Sequence, residues 1–314
     1  MAKPLTRLMG PQEILPGPPS GETLRKRLLA GIPVTERRLR LAGVSTAVLE
    51  GGDGPPIVLL HGPGECAAKW LWAIPDLVRT HRVVAPDLPG HGASEPIDGH
   101  PGLDRVLAWV EDLIDCTCPR PPVLVGHVLG GAIAARFTSD RGERIGGLVL
   151  VDSLGLAAFQ PSPDFAQALT AFVGNPTEET HDRLWSLCAF DLRTMRGRMG
   201  ERWDQIRAYN LDRARVPALG AAQHTLMERY GMSAIPPVVL ARIHIPTVLI
   251  WGRHDLATPL SVAQEASVRY GWPLYVVENA ADDPAMEQPE SFLETLRAAL
   301  DYPGSNPART SIRD

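Results

Sequence analysis

Six short apolar runs limit what this 314-residue chain can fold into: residues 57–60, 82–85, 123–125, 148–151, 247–250 and 274–277. Each is too short for a buried helix, rich in Val, Leu and Ile, and bounded by Gly, Pro or Asp. That is the signature of strands covered on both faces. Amphipathic stretches over 103–115, 131–141, 260–269 and 290–300 alternate with them and predict helices. Strand alternating with helix requires a mostly parallel sheet with helices on both sides. Ahead of it, residues 38–44 and 46–50 alternate apolar with polar, as an edge hairpin does.

Between Ser153 and Ile245 the alternation stops. This stretch reads as helical and Arg-rich, with Trp185, Trp203 and Tyr209 interspersed. The organisation expected is an N-terminal extension over 1–35, a core over 36–153 and 245–302, a helical cap over 154–244 and a tail over 303–314. Apolar residues make up 44% and charged residues 21%, ordinary for a globular chain, and the net charge of -5 argues against a nucleic-acid partner. No apolar run reaches the ~18 residues of a membrane span. Four scattered cysteines suit a reducing cytoplasm, and Cys116-Thr-Cys118 lacks zinc spacing. Neither a metal nor an organic cofactor is expected.

Chemistry concentrates in five loops. His61-Gly-Pro-Gly64 follows the third predicted strand, and Asp87-Leu-Pro-Gly-His-Gly-Ala-Ser94 the fourth. Gly126-His-Val-Leu-Gly-Gly131 joins the fifth to a helix, with the pattern G-x-S-x-G except that Val128 stands at its centre. Trp251-Gly-Arg-His-Asp255 and the stretch 280–290 complete the set. These motifs, in this order, resemble the α/β-hydrolase superfamily, in the branch of epoxide-hydrolase-like and C–C-bond hydrolase proteins with a helical cap. The resemblance spans residues 38–300. It implies an α/β-hydrolase fold with an eight-stranded, mostly parallel sheet and a helical cap after the sixth strand. It also implies a nucleophile at 128, an acid at 255 and a histidine at 282.

Two of those three positions depart from the family. Val128 has no lone pair with which to attack, and Asp282 stands where the imidazole belongs. Only the acid, Asp255, remains, so acyl-enzyme chemistry by serine and histidine is excluded. Asp255 and Asp282 should face one pocket. Two carboxylates in one site resist double ionisation, which makes them an acid/base pair; capping a turn or pairing with an arginine is the plainer role for Asp282. Glu65 is a further candidate base, against a helix-start role. The backbone amides of Gly64 and Leu129 are expected as oxyanion donors, since Pro63 has no N–H. His61, Val128 and Ser153 are expected to line the pocket, with Asp152 beside Ser153. His127 and His91 are read as hydrogen-bonded core histidines, Cys66 as a buried thiol, and the cap arginines as a solvated face with local ion pairs.

Three functions stay open. One is a non-hydrolytic enzyme (a lyase, isomerase or cyclase) acting on a small apolar carbonyl or polyketide-like compound. Another is a non-catalytic binder of such a ligand. The third is a hydrolase with relocated catalytic groups. No nucleic acid or membrane is expected as partner.

Overall fold

The structure, a computed structural model, describes residues 20–97 and 102–302. The N-terminal residues before Ser20 and the tail from Pro303 lie outside the described residues. Eight strands form one sheet in the order β1-β2-β4-β3-β5-β6-β7-β8. These are β1 (Thr35–Leu41), β2 (Val44–Gly51), β3 (Pro56–Leu60), β4 (Arg82–Pro86), β5 (Val123–His127), β6 (Gly147–Val151), β7 (Thr247–Gly252) and β8 (Leu274–Val277). The hairpin β1–β2 is antiparallel and meets β4 antiparallel, while β3 to β8 pair in parallel. Every residue of β3, β5, β6 and β7 is buried, which is why those strands read as unbroken apolar runs.

The helices are α1 (Gly21–Leu29), the short α2 (Ile74–Leu77), α3 (Leu103–Thr117) and α4 (Leu129–Arg141), then α5 (Pro163–Gly174), α6 (Glu178–Cys188), α7 (Leu192–Met199), α8 (Glu201–Ala214), α9 (Pro217–Leu226) and α10 (Pro237–Leu240). After β7 come α11 (Leu260–Tyr270), α12 (Pro284–Glu287) and α13 (Pro289–Leu300). On one sheet face Trp109, Leu113, Ile133 and Phe137 from α3 and α4 pack with Ala263 of α11. On the other, Trp70, Ile74 and Leu77 pack with Phe292 and Leu296 of α13. Helices α5 to α10 fill the gap between β6 and β7 and form the cap. No helix among the described residues is long and apolar enough to cross a membrane.

Part of the N-terminal extension folds onto the body of the protein. From Gly21 the residues assigned to an extension form α1, capped by Ser20, whose hydroxyl accepts from Thr23 N–H. Leu24 and Leu28 pack into a third core with Met195, Met199, Trp203 and Ile206 of the cap. On the same helix, Arg25 reaches Glu36 at 2.7 Å and the fully buried Asp87 at 2.8 Å, and lies 3.3 Å from the Tyr209 hydroxyl of α8. Arg202 of α8 donates to the Leu28 and Ala30 carbonyls at the end of α1. The first helix therefore bridges cap and sheet.

Candidate active site

The turn from β5 into α4 is a sharp elbow. A Cβ on Gly126 would lie 2.5 Å from the Gly130 carbonyl oxygen, and one on Gly130 would lie 2.5 Å from that of Leu60, so only glycine fits at either position. Val128 at the apex has φ 46° and ψ -107°. For a β-branched residue this left-handed conformation costs about 1–3 kcal/mol. It is held by the Val128 N–H bond to the Val151 carbonyl (3.0 Å) and by its own carbonyl, which accepts from Ala132 and Leu154 N–H (both 3.1 Å). The turn that presents a nucleophile is complete, and an isopropyl group occupies its tip. Leu129 opens α4, so its N–H is one of the helix-end amides without an intrahelical partner.

In the loop after β3, Gly64 is exposed at φ +72°, with nothing within 4 Å of where a Cβ would stand. His61 corrects the expectation that it lines the pocket. It is fully buried, its Nδ1–H donates to the Gly62 carbonyl (2.7 Å), and its Nε2 accepts from Leu88 N–H (2.9 Å). Burial pushes its pKa down to about 4, so a neutral imidazole staples two loops together. Ser153 is likewise buried, its hydroxyl donating to the Leu154 carbonyl and its side chain pressed against Gly131 behind the elbow. Both side chains are committed to the loops around them.

Glu65 needs a similar correction as a base. Its carboxylate accepts from Gly62 N–H (2.8 Å), lies 3.3 Å from Lys69 Nζ and 3.4 Å from His127 Nδ1. Burial alone would raise its pKa, but Lys69 and His127 outweigh that and hold it well below the ordinary carboxylate range. A carboxylate so stabilised is a poor proton acceptor. Lys69, itself buried, also pairs with Asp283 at 2.8 Å. It is Asp283, not Asp282, that caps α12 by accepting from Met286 N–H (3.1 Å). Cys66 is buried and its thiol is pushed up to about 12, chiefly by that burial.

The loops that carry Asp255 and Asp282 lie side by side, with His254 N–H donating to the Ala280 carbonyl at 2.9 Å. Asp282 presents its backbone carbonyl to His127 Nε2 at 2.6 Å, which fixes the Asp282 loop one residue from Val128. Sequence alone gave no sign that His127 makes this link. Asp255 is buried and accepts from Ala257 N–H (2.7 Å), Thr258 N–H (2.9 Å) and the Thr258 hydroxyl. Burial raises its pKa to about 6 against those donors. Asp282 is raised well above the ordinary value by burial and then by the Asp255 charge. Asp152, at the end of β6, is raised in the same way; its Oδ1 accepts from Gly252 N–H (2.8 Å), while its buried Oδ2 has no partner among the described residues. Burial favours the neutral acid at all three carboxyls, and the Asp255 charge adds to it at Asp152 and Asp282.

A carboxyl whose pKa rises on folding binds its proton more tightly in the native state. Its contribution to stability is full below the unfolded pKa of ~3.9 and is lost as pH rises through the native value. Asp282→Asn is therefore expected to raise Tm at pH 8 more than near pH 4, where the carboxyl holds its proton in both states. Thermal melts at the two pH values test this; an equal shift at both would mean the carboxylate is not penalised.

The cap histidine His181 is buried between Phe172, Trp185 and Trp203 rather than offered to a ligand. Of the cap arginines, Arg196, Arg207 and Arg213 make the local ion pairs expected, with Asp182, Asp204 and Asp212, while Arg198, Arg202 and Arg215 bond backbone carbonyls instead.

Comparison with known proteins agrees with this geometry. The chain is 29% identical over 237 residues to 2-hydroxymuconate semialdehyde hydrolase of Pseudomonas sp. (strain CF600), covering 74% of this chain and 81% of that protein. It is 27% identical over 266 residues to pimeloyl-[acyl-carrier protein] methyl ester esterase of Aeromonas hydrophila, covering 81% of this chain and 98% of the esterase. Among solved structures, 2-hydroxy-6-oxo-6-phenylhexa-2,4-dienoate hydrolase (BphD) from Rhodococcus sp. strain RHA1 superposes with a TM-score of 0.75 at 26% identity, covering 85% of this chain and 98% of that one. All three relatives are enzymes by name. The family model described as alpha/beta hydrolase fold matches residues 55–287, and the chain belongs to that family.

Proposed function

We propose that this protein is an enzyme acting on a small apolar carbonyl compound by proton transfer, without an acyl-enzyme. The observation that carries the reading is the placement of the Asp282 loop, held to His127 by its backbone carbonyl and packed beside the loop of the buried Asp255, next to an elbow whose apex is valine. A substrate carbonyl oxygen would lie against the Leu129 and Gly64 amides, which stabilise the developing enolate. Asp282, sharing its proton with Asp255, would take a proton from carbon or return one. Val128 closes the floor of the pocket and forbids covalent attack. Glu65, His61 and Ser153 hold the loops and take no part in the proton transfer. Such chemistry calls for no cofactor and fits a lyase, isomerase or cyclase.

A second reading, hydrolysis by water activated at the same pair, is favoured by the names of the relatives, which include hydrolases of semialdehyde and dienoate compounds. One experiment separates the two. A panel of β-diketones and dienoate ketones in D2O is followed by NMR and mass spectrometry, with wild type beside Asp282→Asn. Deuterium incorporation or rearrangement without cleavage, reduced at least ~100-fold in Asp282→Asn, is the expected result. Cleavage lost in the same variant would establish the hydrolytic reading. Binding without either reaction would make the protein a ligand carrier.

A further inference from the structure

Helix α1 buries one stripe, Leu24, Arg25 and Leu28, while Glu22, Thr23, Lys26 and Arg27 face solvent. Its leucines pack with Met199, Trp203 and Ile206 of the cap on one side and with Cys66, Leu71 and Met286 of the sheet domain on the other. The helix thus lies across the seam between the two. Polar contacts fasten it to both banks. Arg25 meets Asp87 (2.8 Å) and Glu36 (2.7 Å) on the sheet side, and Arg202 of α8 donates to the Leu28 and Ala30 carbonyls at 2.8 and 2.5 Å. Beneath Leu28 the seam holds a narrow cavity, lined by Trp185 and Ile206 from the cap and by Met286, Glu65 and Lys69 from the sheet side. Its volume is about 20 Å³, enough for one water and for no organic ligand.

The geometry points to α1 as a detachable strap. Seated, it closes the seam between cap and sheet; released, it opens the cavity beside Glu65 and Lys69 to small molecules. Nine residues are too few for a helix to persist alone in water, so leaving the seat and unfolding are one event. The buried residues of the seat form a cluster apart from the two on the sheet faces, which lets the seat open while those stay packed. Residues 31–34 tether the helix to β1, the edge strand, and Gly31 takes φ +80° at the start of the tether, a conformation that glycine adopts without strain. Release uncovers Leu24, Leu28 and their partners to water, so the open form is the minor one. The strap governs access and does not depend on the proton-transfer reading: it acts whether the molecule under the cap reacts or is only held.

Cys66 lines the cavity and is 4% exposed, so its thiol reports the opening, and iodoacetamide is the small molecule that must enter. The full chain is labelled at pH 8 and read peptide by peptide by mass spectrometry, with the exposed Cys116 as internal reference. Amide hydrogen exchange is followed in parallel. In wild type, residues 24–30 should exchange at least ~100-fold faster than β5 and β6, because the strap opens without the sheet. Equal rates would mean that α1 leaves only on global unfolding, and would overturn the inference. Arg202→Ala removes the grip on the Leu28 and Ala30 carbonyls. It should raise α1 exchange and Cys66 labelling together, each about tenfold, and leave β5, β6 and Cys116 unchanged. Faster α1 exchange with unchanged Cys66 labelling would show a helix that frays over a closed seam, and would also overturn it. So would a rise shared by β5 and β6, or no rise at all. These readouts need no substrate, so a failure of the proton-transfer reading leaves the test of the strap intact.

Discussion

A chain carrying Val128→Ser and Asp282→His together should hydrolyse p-nitrophenyl acetate at least ~1000-fold faster than either single variant, because triad members act as a unit. Val128→Ser alone places a hydroxyl at the apex of an intact elbow, above the Leu129 and Gly64 amides. With a carboxylic acid rather than an imidazole beside it, that hydroxyl keeps its proton. Asp282→His alone supplies a base and nothing for it to activate. In the double variant the imidazole has Asp255 to orient it, held by Ala257 and Thr258. The serine also lightens the conformational cost at φ 46°, since it is not β-branched. Burst kinetics with the ester would report the acyl-enzyme. A double variant no faster than its parents would show that residues 128, 255 and 282 do not converge on one substrate.

The second large effect concerns stability. Arg25→Ala should cost about 3–5 kcal/mol, or roughly 6–15 °C in Tm, because it strands Asp87 as an uncompensated buried charge. Asp87 is fully buried, and its other partners are the Ala67 and Ala93 N–H groups, which bring no formal charge. Arg25→Met should lose nearly as much, since restoring bulk leaves the carboxylate unpaired. Arg37→Ala provides the contrast. Its side chain is 48% exposed against Glu50, and such pairs contribute about 0–1 kcal/mol. Melts of the three variants decide the matter: an Arg25→Ala loss below about 1 kcal/mol would mean that water reaches Asp87 when the arginine is gone.

The fold was legible because its dominant cause, burial of both sheet faces, leaves a direct mark on composition. The apolar runs at 57–60 and 148–151 sit inside β3 and β6, and the 38–50 alternation became the β1–β2 hairpin. The helix α1 was missed because Pro and Gly dominate the segment before it. Its signals were nonetheless present: Ser20 as a cap, and Leu24 and Leu28 one turn apart.

The site was legible as a set of loops, and less so as a set of roles. The motif around His61 gives a loop position but not the direction of the ring, which Leu88 and Gly62 decide. Glu65 looked free because Lys69 is a commonplace i,i+4 partner. Only the fold shows that Lys69 is buried, that Glu65 is half-buried, and that Lys69 also pairs with Asp283 from a distant loop.

The bridge made by α1 also bears on how the chain reaches this state. Arg202 and the Ala30 carbonyl that it grips are 172 residues apart. During synthesis at 5–20 residues per second, the first helix therefore waits roughly 10–30 s before α8 exists to receive it. Throughout that interval Leu24 and Leu28 lack the cap side of their core, Met195, Met199, Trp203 and Ile206, and the cap cannot complete that core until α1 returns to it. A helix made early is among the last to be placed.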